Sequence, residues 1–380
     1  MNTSSEPEIN DQAPAATARP WRWTRILRRS VIAALLIVLC VSILLKDHIH
    51  TLQSLRHVPG TNAYVMDYYV DYNIEQIRSQ GMDVNDVEES LIGVFFPDLI
   101  VPLGNLAKGW FIEDEVEIIA PGEHRCSTTV LRTGSGHVLF GRNFDWKHDA
   151  CLILKIHDGD SVSSIAVLDL HYLNLDRPDL EATSLIQRIP LLFAPYYLQD
   201  GMNRHGVAVA DMSVDDVKPP FDPAKPNVLH STAMRLILDF AKNTDEAIEL
   251  LRQYNIHFGE TTGHLMIADA AGKSAVVEFV DNQIEVTPTE AHWQVCTNHC
   301  VAGKAEEEND QECRRYCLAS DQLATLPSAA GSAEVMQIMA SVSQDTTMWT
   351  SVYNLSTREL ELAYRRHYDE PHQNGFTAAN

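Results

Sequence analysis

The chain has 380 residues, 45% hydrophobic and 21% charged, a globular composition with room for one large domain or two ordinary ones. A formal net charge of −23, with no basic stripe beyond residue 30, excludes a phosphate-tracking surface, so nucleic acid is not an expected partner. Internal repeats, phosphate-cradling loops and dinucleotide fingerprints are absent from the sequence, so no cofactor is expected.

Residues 1–20 are rich in Ser, Pro, Ala, Glu and Thr and read as a disordered tail. Arg19, Arg22, Arg25, Arg28 and Arg29 then precede the uncharged run Val31 to Leu45, the order of a signal sequence or signal anchor over residues 21–46. Fifteen residues suit a signal core, but no small-x-small cleavage site follows, and Trp21 and Trp23 extend the run toward an interface. The reading favours an uncleaved membrane anchor, with a cleaved signal or a buried helix as alternatives. Either of the first two puts the body of the protein outside the cytoplasm, anchored or secreted. Residues 47–125 carry a strand-like aromatic run (Tyr64 to Tyr72), a helical stretch (Val84 to Val94) and an apolar segment broken by Pro97 and Pro102.

The stretch Cys126 to Trp146 (CSTTVLRTGSGHVLFGRNFDW) reads as a hairpin. Cys126 to Val130 is β-branched, Gly134-Ser-Gly136 supplies the turn, and His137 to Phe144 returns. A thiol attacks only as thiolate or beside a base, so Cys126 at a strand start facing Arg142 and Asp145 suggests a nucleophile. Strict alternation puts Arg142 and Asp145 on opposite faces, so a stop or bulge is expected near Asn143.

Cys126-Ser-Thr-Thr together with Gly141-Arg-Asn-Phe-Asp-Trp146 resembles the start of the mature chain in the choloylglycine-hydrolase superfamily of N-terminal-nucleophile (Ntn) hydrolases. That superfamily includes bile-salt hydrolases, penicillin V acylases, acid ceramidase and isopenicillin acyltransferase-like proteins. The resemblance implies an α+β fold, a four-layer αββα sandwich of two largely antiparallel sheets. It also implies hydrolysis of a linear amide C–N bond in a small N-acyl compound, by a cysteine whose own α-amine, freed by self-cleavage after Arg125, acts as base. An amine with a pKa of about 8 is suited to that role near neutral pH. Residues 47–125 would then be a propeptide or a retained small subunit, packed on the catalytic core or forming a lipid-contacting lip.

Further along, Asp200-Gly-Met-Asn203-Arg-His-Gly206 is similar to a family motif whose Asn binds the oxyanion, although Asn before glycine is also a common turn former. His230 to Tyr254 reads as two helices broken at Asn243, and Gly263 to Val286 as antiparallel strands. Trp293 to Thr297 delivers Asn298, matched by resemblance to a second oxyanion donor. Arg315, before Tyr316, matches a family arginine that reaches the site. Cys296, Cys300, Cys313 and Cys317 form two Cys-x-x-x-Cys pairs, which read as one or two disulfides, free thiols or, less favourably given the spacing, a zinc site; no metal is expected. The catalytic domain is assigned to residues 126–368, with a loose tail from 369 to 380.

The resemblance thus implies Cys126 as nucleophile and base, with Arg142, Asp145, Asn203, Asn298 and Arg315 around it. An acyltransferase of the same superfamily, a papain-like protease and a non-catalytic membrane-anchored binding protein on the same fold are the rival readings.

Overall fold

The computed structural model describes residues 45–87, 90–91, 126–177, 179–214, 217–258, 262–289, 291–302 and 313–376, together with 27–32, 35 and 43. Residues Met1–Asp47 and His48–Asn380 are separate compact units. In the first, Arg28 to Ile32 are helical, whereas residues 1–20 and most of the run from Val31 to Leu45 lie outside the described residues. Val31, Ile32, Leu35, Ile43 and Leu45, the members of the run that are described, are all exposed. Among the described residues no helix is long and apolar enough to cross a membrane.

Helix α1 (Lys46–Gln53) leads to β1 (Arg56–His57), β2 (Ala63–Tyr68) and α2 (Ile74–Gln80). Val84 to Val94 and the proline-broken segment fall largely outside the described residues. The expected hairpin follows as β3 (Ser127–Arg132) and β4 (Val138–Asp145), turning through Gly136 at φ +86°, a conformation that costs glycine nothing. Next come β5 (Cys151–Asp158), β6 (Ser161–Asp169), a 3-10 stretch Ile186–Tyr196, β7 (Asp200–Asn203), β8 (Ala208–Ser213) and β9 (Asn227–Leu229). The two helices read from periodicity are α3 (His230–Phe240) and α4 (Thr244–Leu251); between them Asn243 caps α4 by accepting from the Glu246 amide. The rest is β10 (Asn255–His257), β11 (Gly263–Ala268), β12 (Ser274–Val280), β13 (Gln283–Pro288), β14 (Trp293–Cys296), α5 (Arg314–Thr325), α6 (Ser332–Ser341), β15 (Thr347–Asn354), β16 (Glu359–Tyr364) and β17 (His372–Gly375).

The strands form a nine-stranded sheet, β1-β2-β5-β6-β7-β8-β11-β12-β13, and a six-stranded sheet, β14-β3-β4-β15-β16-β17. All pairs in both are antiparallel except β2 with β5. Alternation along the larger sheet feeds two cores. Leu152 and Leu154 of β5 join Leu236 and Ile237 of α3, whereas Ile153 between them joins Phe140 and Tyr353 of the smaller sheet. Val335 and Met339 of α6 and Leu323 of α5 cover that sheet's other face. Helices therefore lie outside two facing sheets, an α+β architecture in four layers.

Two expectations need correction here. The tail from Asp369 is not loose throughout: β17 hydrogen-bonds along β16, and Asn374 is buried. A polar edge strand is held by its backbone ladder rather than by apolar burial, so hydropathy does not reveal it. Nor do the four clustered cysteines form disulfides: Cys296, Cys300, Cys313 and Cys317 carry no S–S bond.

Candidate active site

Cys126 sits just before β3, buried at 4% exposure, at the base of a cavity of about 330 Å³. The cavity walls are mostly apolar: Val84, Val87, Phe144, Tyr172, Tyr197 and Phe258. Two of these, Val84 and Val87, come from the segment that precedes the nucleophile. Its polar floor adds Arg142, Asp211 and His230.

Register explains why Cys126 meets Arg142. Ser127 pairs with Asn143 and Thr128 with Arg142, so the residue before Ser127 lies beyond the end of the ladder with its side chain on the Arg142 face. Arg142 Nη2 lies 3.7 Å from Cys126 Sγ and also donates to the Asp211 carbonyl (2.7 Å) and to Asp211 Oδ1 (3.0 Å). Its Nε is 3.7 Å from Asp200 Oδ2. Asp200 is itself fully buried and accepts from Trp349 Nε1 (3.1 Å), Ser351 Oγ (3.0 Å) and the Tyr353 hydroxyl. The guanidinium is thus fixed between two carboxylates with its Nη2 directed at the thiol.

Burial pushes the Cys126 thiol up to about 11; Arg142 and the Asp145 amide counter this, and the Asp145 charge adds to it. At pH 7 the thiol is therefore neutral, and attack requires a base. Asp145 is buried and its pKa is raised by burial, although Thr347 Oγ1 (2.5 Å), Gln344 Nε2 (2.9 Å) and the Arg315 guanidinium (4.0 Å) favour its charged form. The irregularity expected near Asn143 lies instead on the facing strand: β4 runs regularly, and β15 takes an extra residue between Thr347 and Trp349. That leaves Thr347 opposite Asp145 to donate to it.

Arg315, on the first turn of α5, donates to the Cys126 carbonyl (2.6 Å), to Ser127 Oγ (2.7 Å) and to Asn298 Oδ1 (2.9 Å). Asn298 in turn donates to the Ser213 carbonyl at 2.6 Å. Arg315 and Asn298 are thereby brought beside the nucleophile's main chain. Asn203 is not brought there. Its Oδ1 accepts from the His205 and Val207 amides (2.9 and 3.0 Å), and its Nδ2 donates to the Ala241 carbonyl at 2.8 Å. It closes the β7–β8 turn, where Gly206 takes φ +77°, and ties that turn to α3; an oxyanion role has no support from this geometry.

Sequence reasoning missed Asp211 and His230. Asp211 Oδ2 lies 3.3 Å from His230 Nε2, and the His230 ring stacks on Phe258 at 5.1 Å. Burial opposes the Asp211 charge, but His230 and Arg142 outweigh it and hold the carboxyl below its ordinary range. No local motif marks either residue; only the assembled sheet brings them to Arg142.

Residues 194–367 match the family described as acyl-coenzyme A:6-aminopenicillanic acid acyl-transferase. No curated protein matches the chain. Among solved structures it is similar to two variants of the conjugated bile acid hydrolase from Clostridium perfringens. Each has a TM-score of 0.50 and 15% identity, covering 66% of this chain and 92% of that one. It is also similar to penicillin V acylase from Agrobacterium tumefaciens, with a TM-score of 0.47 and 18% identity over 65% of this chain and 84% of the other. The layered fold is thus similar to that of the bile acid hydrolase, and the family match covers the second half of this chain. The match over residues 194–367 and the likeness to the bile acid hydrolase fold support the resemblance to the choloylglycine-hydrolase-like Ntn family.

Proposed function

We propose that the protein is a cysteine-dependent amidase that cleaves a linear C–N bond of a small N-acyl compound after self-cleavage between Arg125 and Cys126. The observation that carries this reading is the Cys126 thiol at the base of an apolar-walled cavity, 3.7 Å from a guanidinium held by two carboxylates. In the uncut chain the nitrogen of Cys126 is an amide and cannot accept a proton. Cleavage converts it into an amine suited to deprotonate the thiol and later protonate the leaving group. Asp145 holds that amine and Arg142 favours the thiolate. Asn298, with one N–H committed to Ser213, offers the other to the oxyanion, and Arg315 fixes both Asn298 and the Cys126 carbonyl.

Residues 47–125 remain as a bound small subunit in this reading, since β2 lies inside the larger sheet and Val84 and Val87 line the cavity. The acyl group occupies the aromatic wall. The same reading keeps residues 21–46 as an anchor with the catalytic unit outside the cytoplasm, a part that rests on the arginines before Val31 and the uncharged run to Leu45. The match to an acyl-transferase family favours a second reading, in which an amine or thiol rather than water resolves the acyl-thioester.

Intact-mass measurement tests the core of this. Wild-type protein should yield a chain that begins at Cys126, and Cys126→Ala should stay whole and inactive toward a panel of N-acyl amides. Turnover by Cys126→Ala would overturn the assignment. Partition of product between hydrolysis and transfer in the presence of an added amine separates the two readings.

A further inference from the structure

Beside the nucleophile's cavity lies a second group of side chains that the amidase chemistry does not use. His148 follows the end of β4, and His171 and Asp176 follow β6. One ligand atom from each lies within 4.8 Å of the other two. His148 Nδ1 is 3.1 Å from Asp176 Oδ2, and the two imidazoles lie face to face, centroids 3.5 Å apart and 7° from parallel. Rings so placed cannot both be imidazolium without direct repulsion.

A second, independent observation points to a cation. Asp169 is completely buried, and its Oδ1 accepts from the His171 amide at 2.8 Å. Its other oxygen is buried without a hydrogen-bond partner among the described residues. Asp149 is paired with Arg365 (2.7 Å) and Asn62 (2.9 Å), and Lys147 also faces the group. Neither Asp169 nor Asp176 has a Lys or Arg salt bridge among the described residues. The Asp169 and Asp176 carboxyl groups thus meet two imidazoles without a Lys or Arg bridge, and a cation is one group that fits such a set.

We infer that His148, His171 and Asp176 form a binding site for a divalent transition-metal ion of the zinc type, with the buried Asp169 next to it through the His171 amide. Two imidazole nitrogens and one carboxylate suit zinc, nickel or copper rather than calcium or magnesium, which take oxygen ligands. Three protein ligands at about 2.0–2.2 Å, with water as the fourth, complete a tetrahedron. Reaching it requires His148 to turn out of the stack, which a side chain 22% exposed can do. The clustered cysteines do not compete in this geometry: His148, His171 and Asp176 are the one such group found among the described residues.

The test is a titration of the full-length, chelator-stripped protein with Zn2+ alone, read by calorimetry and by equilibrium dialysis. One ion should bind per chain, with His148→Ala and His171→Gln each weakening it at least tenfold. Cys126→Ala and the double change Cys300→Ser/Cys313→Ser should leave it unaltered. Because His171→Gln disturbs a half-buried position, Co2+ added to the unmutated protein provides an independent readout: a visible d–d spectrum without thiolate charge transfer. Stoichiometric binding that survives both histidine changes, a thiolate band with Co2+, or no bound ion would each overturn the inference. None of these outcomes bears on self-cleavage at Cys126, so the two readings stand or fall separately.

Discussion

Replacing Arg142 by methionine, in a Cys126→Ala background that keeps every chain uncut, tests how the site stores charge. Methionine preserves most of the volume, so the cavity contribution is small and the electrostatic one is isolated. The change removes the guanidinium from between Asp200, fully buried, and Asp211. Breaking a buried pair by deleting one partner costs about 3–5 kcal/mol when the remaining charge stays ionised. Asp200 already has a pKa raised by burial, opposed chiefly by Arg142, and without that arginine it rises further. A raised native-state pKa means that the folded protein holds a proton the unfolded chain has released. Stability of the variant must then fall as pH rises from the unfolded value toward the folded one, by about 1.4 kcal/mol per pH unit and per proton. Urea unfolding followed at pH 5 and at pH 8 should therefore show a small deficit at the lower pH and one of about 3–5 kcal/mol at the higher. Adding Asp200→Asn should recover part of the loss at pH 8 and little at pH 5. A deficit below about 1 kcal/mol, or one independent of pH, would show that Trp349, Ser351 and Tyr353 alone satisfy Asp200 and that the guanidinium is not its counter-charge.

Asn203→Ala should cost about 1–3 kcal/mol of stability, because it leaves the His205 and Val207 amides and the Ala241 carbonyl unpaired, and should change kcat by less than tenfold. A loss of a hundredfold or more, typical of an oxyanion donor, would restore the role its motif suggested. In protein already cut at Cys126, Asp145→Asn should move the acid limb of the pH–rate profile to lower pH, since loss of the carboxylate no longer favours the ammonium, and should slow turnover; an unchanged limb and rate would place the amine elsewhere. Cys296→Ala should leave self-cleavage intact, because that thiol packs against His264 at 3.3 Å rather than in the cavity. His230→Gln should raise KM more than it lowers kcat, since His230 lines the cavity but touches the thiol only through Asp211 and Arg142.

The nucleophile hairpin was legible because it is local: β-branched residues, a glycine turn and a returning strand lie within about twenty residues, and register alone then faces Cys126 with Arg142. The helices on either side of Asn243 were legible for the same reason. Asn203 misled because the motif that suggests an oxyanion donor has the same composition as a turn, and here the turn consumes every polar atom of the side chain. Asp211 was hidden by distance, lying 69 residues from the arginine it holds. His230, at the first position of α3, reads in sequence as an ordinary helix start. Strand β17 was missed because pairing of polar edge residues leaves no hydrophobic period. The shift in β15 that puts Thr347 opposite Asp145 is a property of pairing, which no single strand's sequence records.

The parallel pairing of β2 with β5 sets the order in which such a molecule can be made. β2 is not an edge addition: β1 lies outside it and β5 inside, and Tyr64, Met66 and Tyr68 reach into the core. While the chain is whole, its search for β5 is intramolecular. If the bond before Cys126 is cut, as proposed, the same contact becomes an encounter between two polypeptides, and its stability depends on their concentration. On that proposal folding comes first and cutting second, and a cut molecule that opens would have lost the tether that built it. Its lifetime would be set by the barrier to opening rather than by an equilibrium it could revisit.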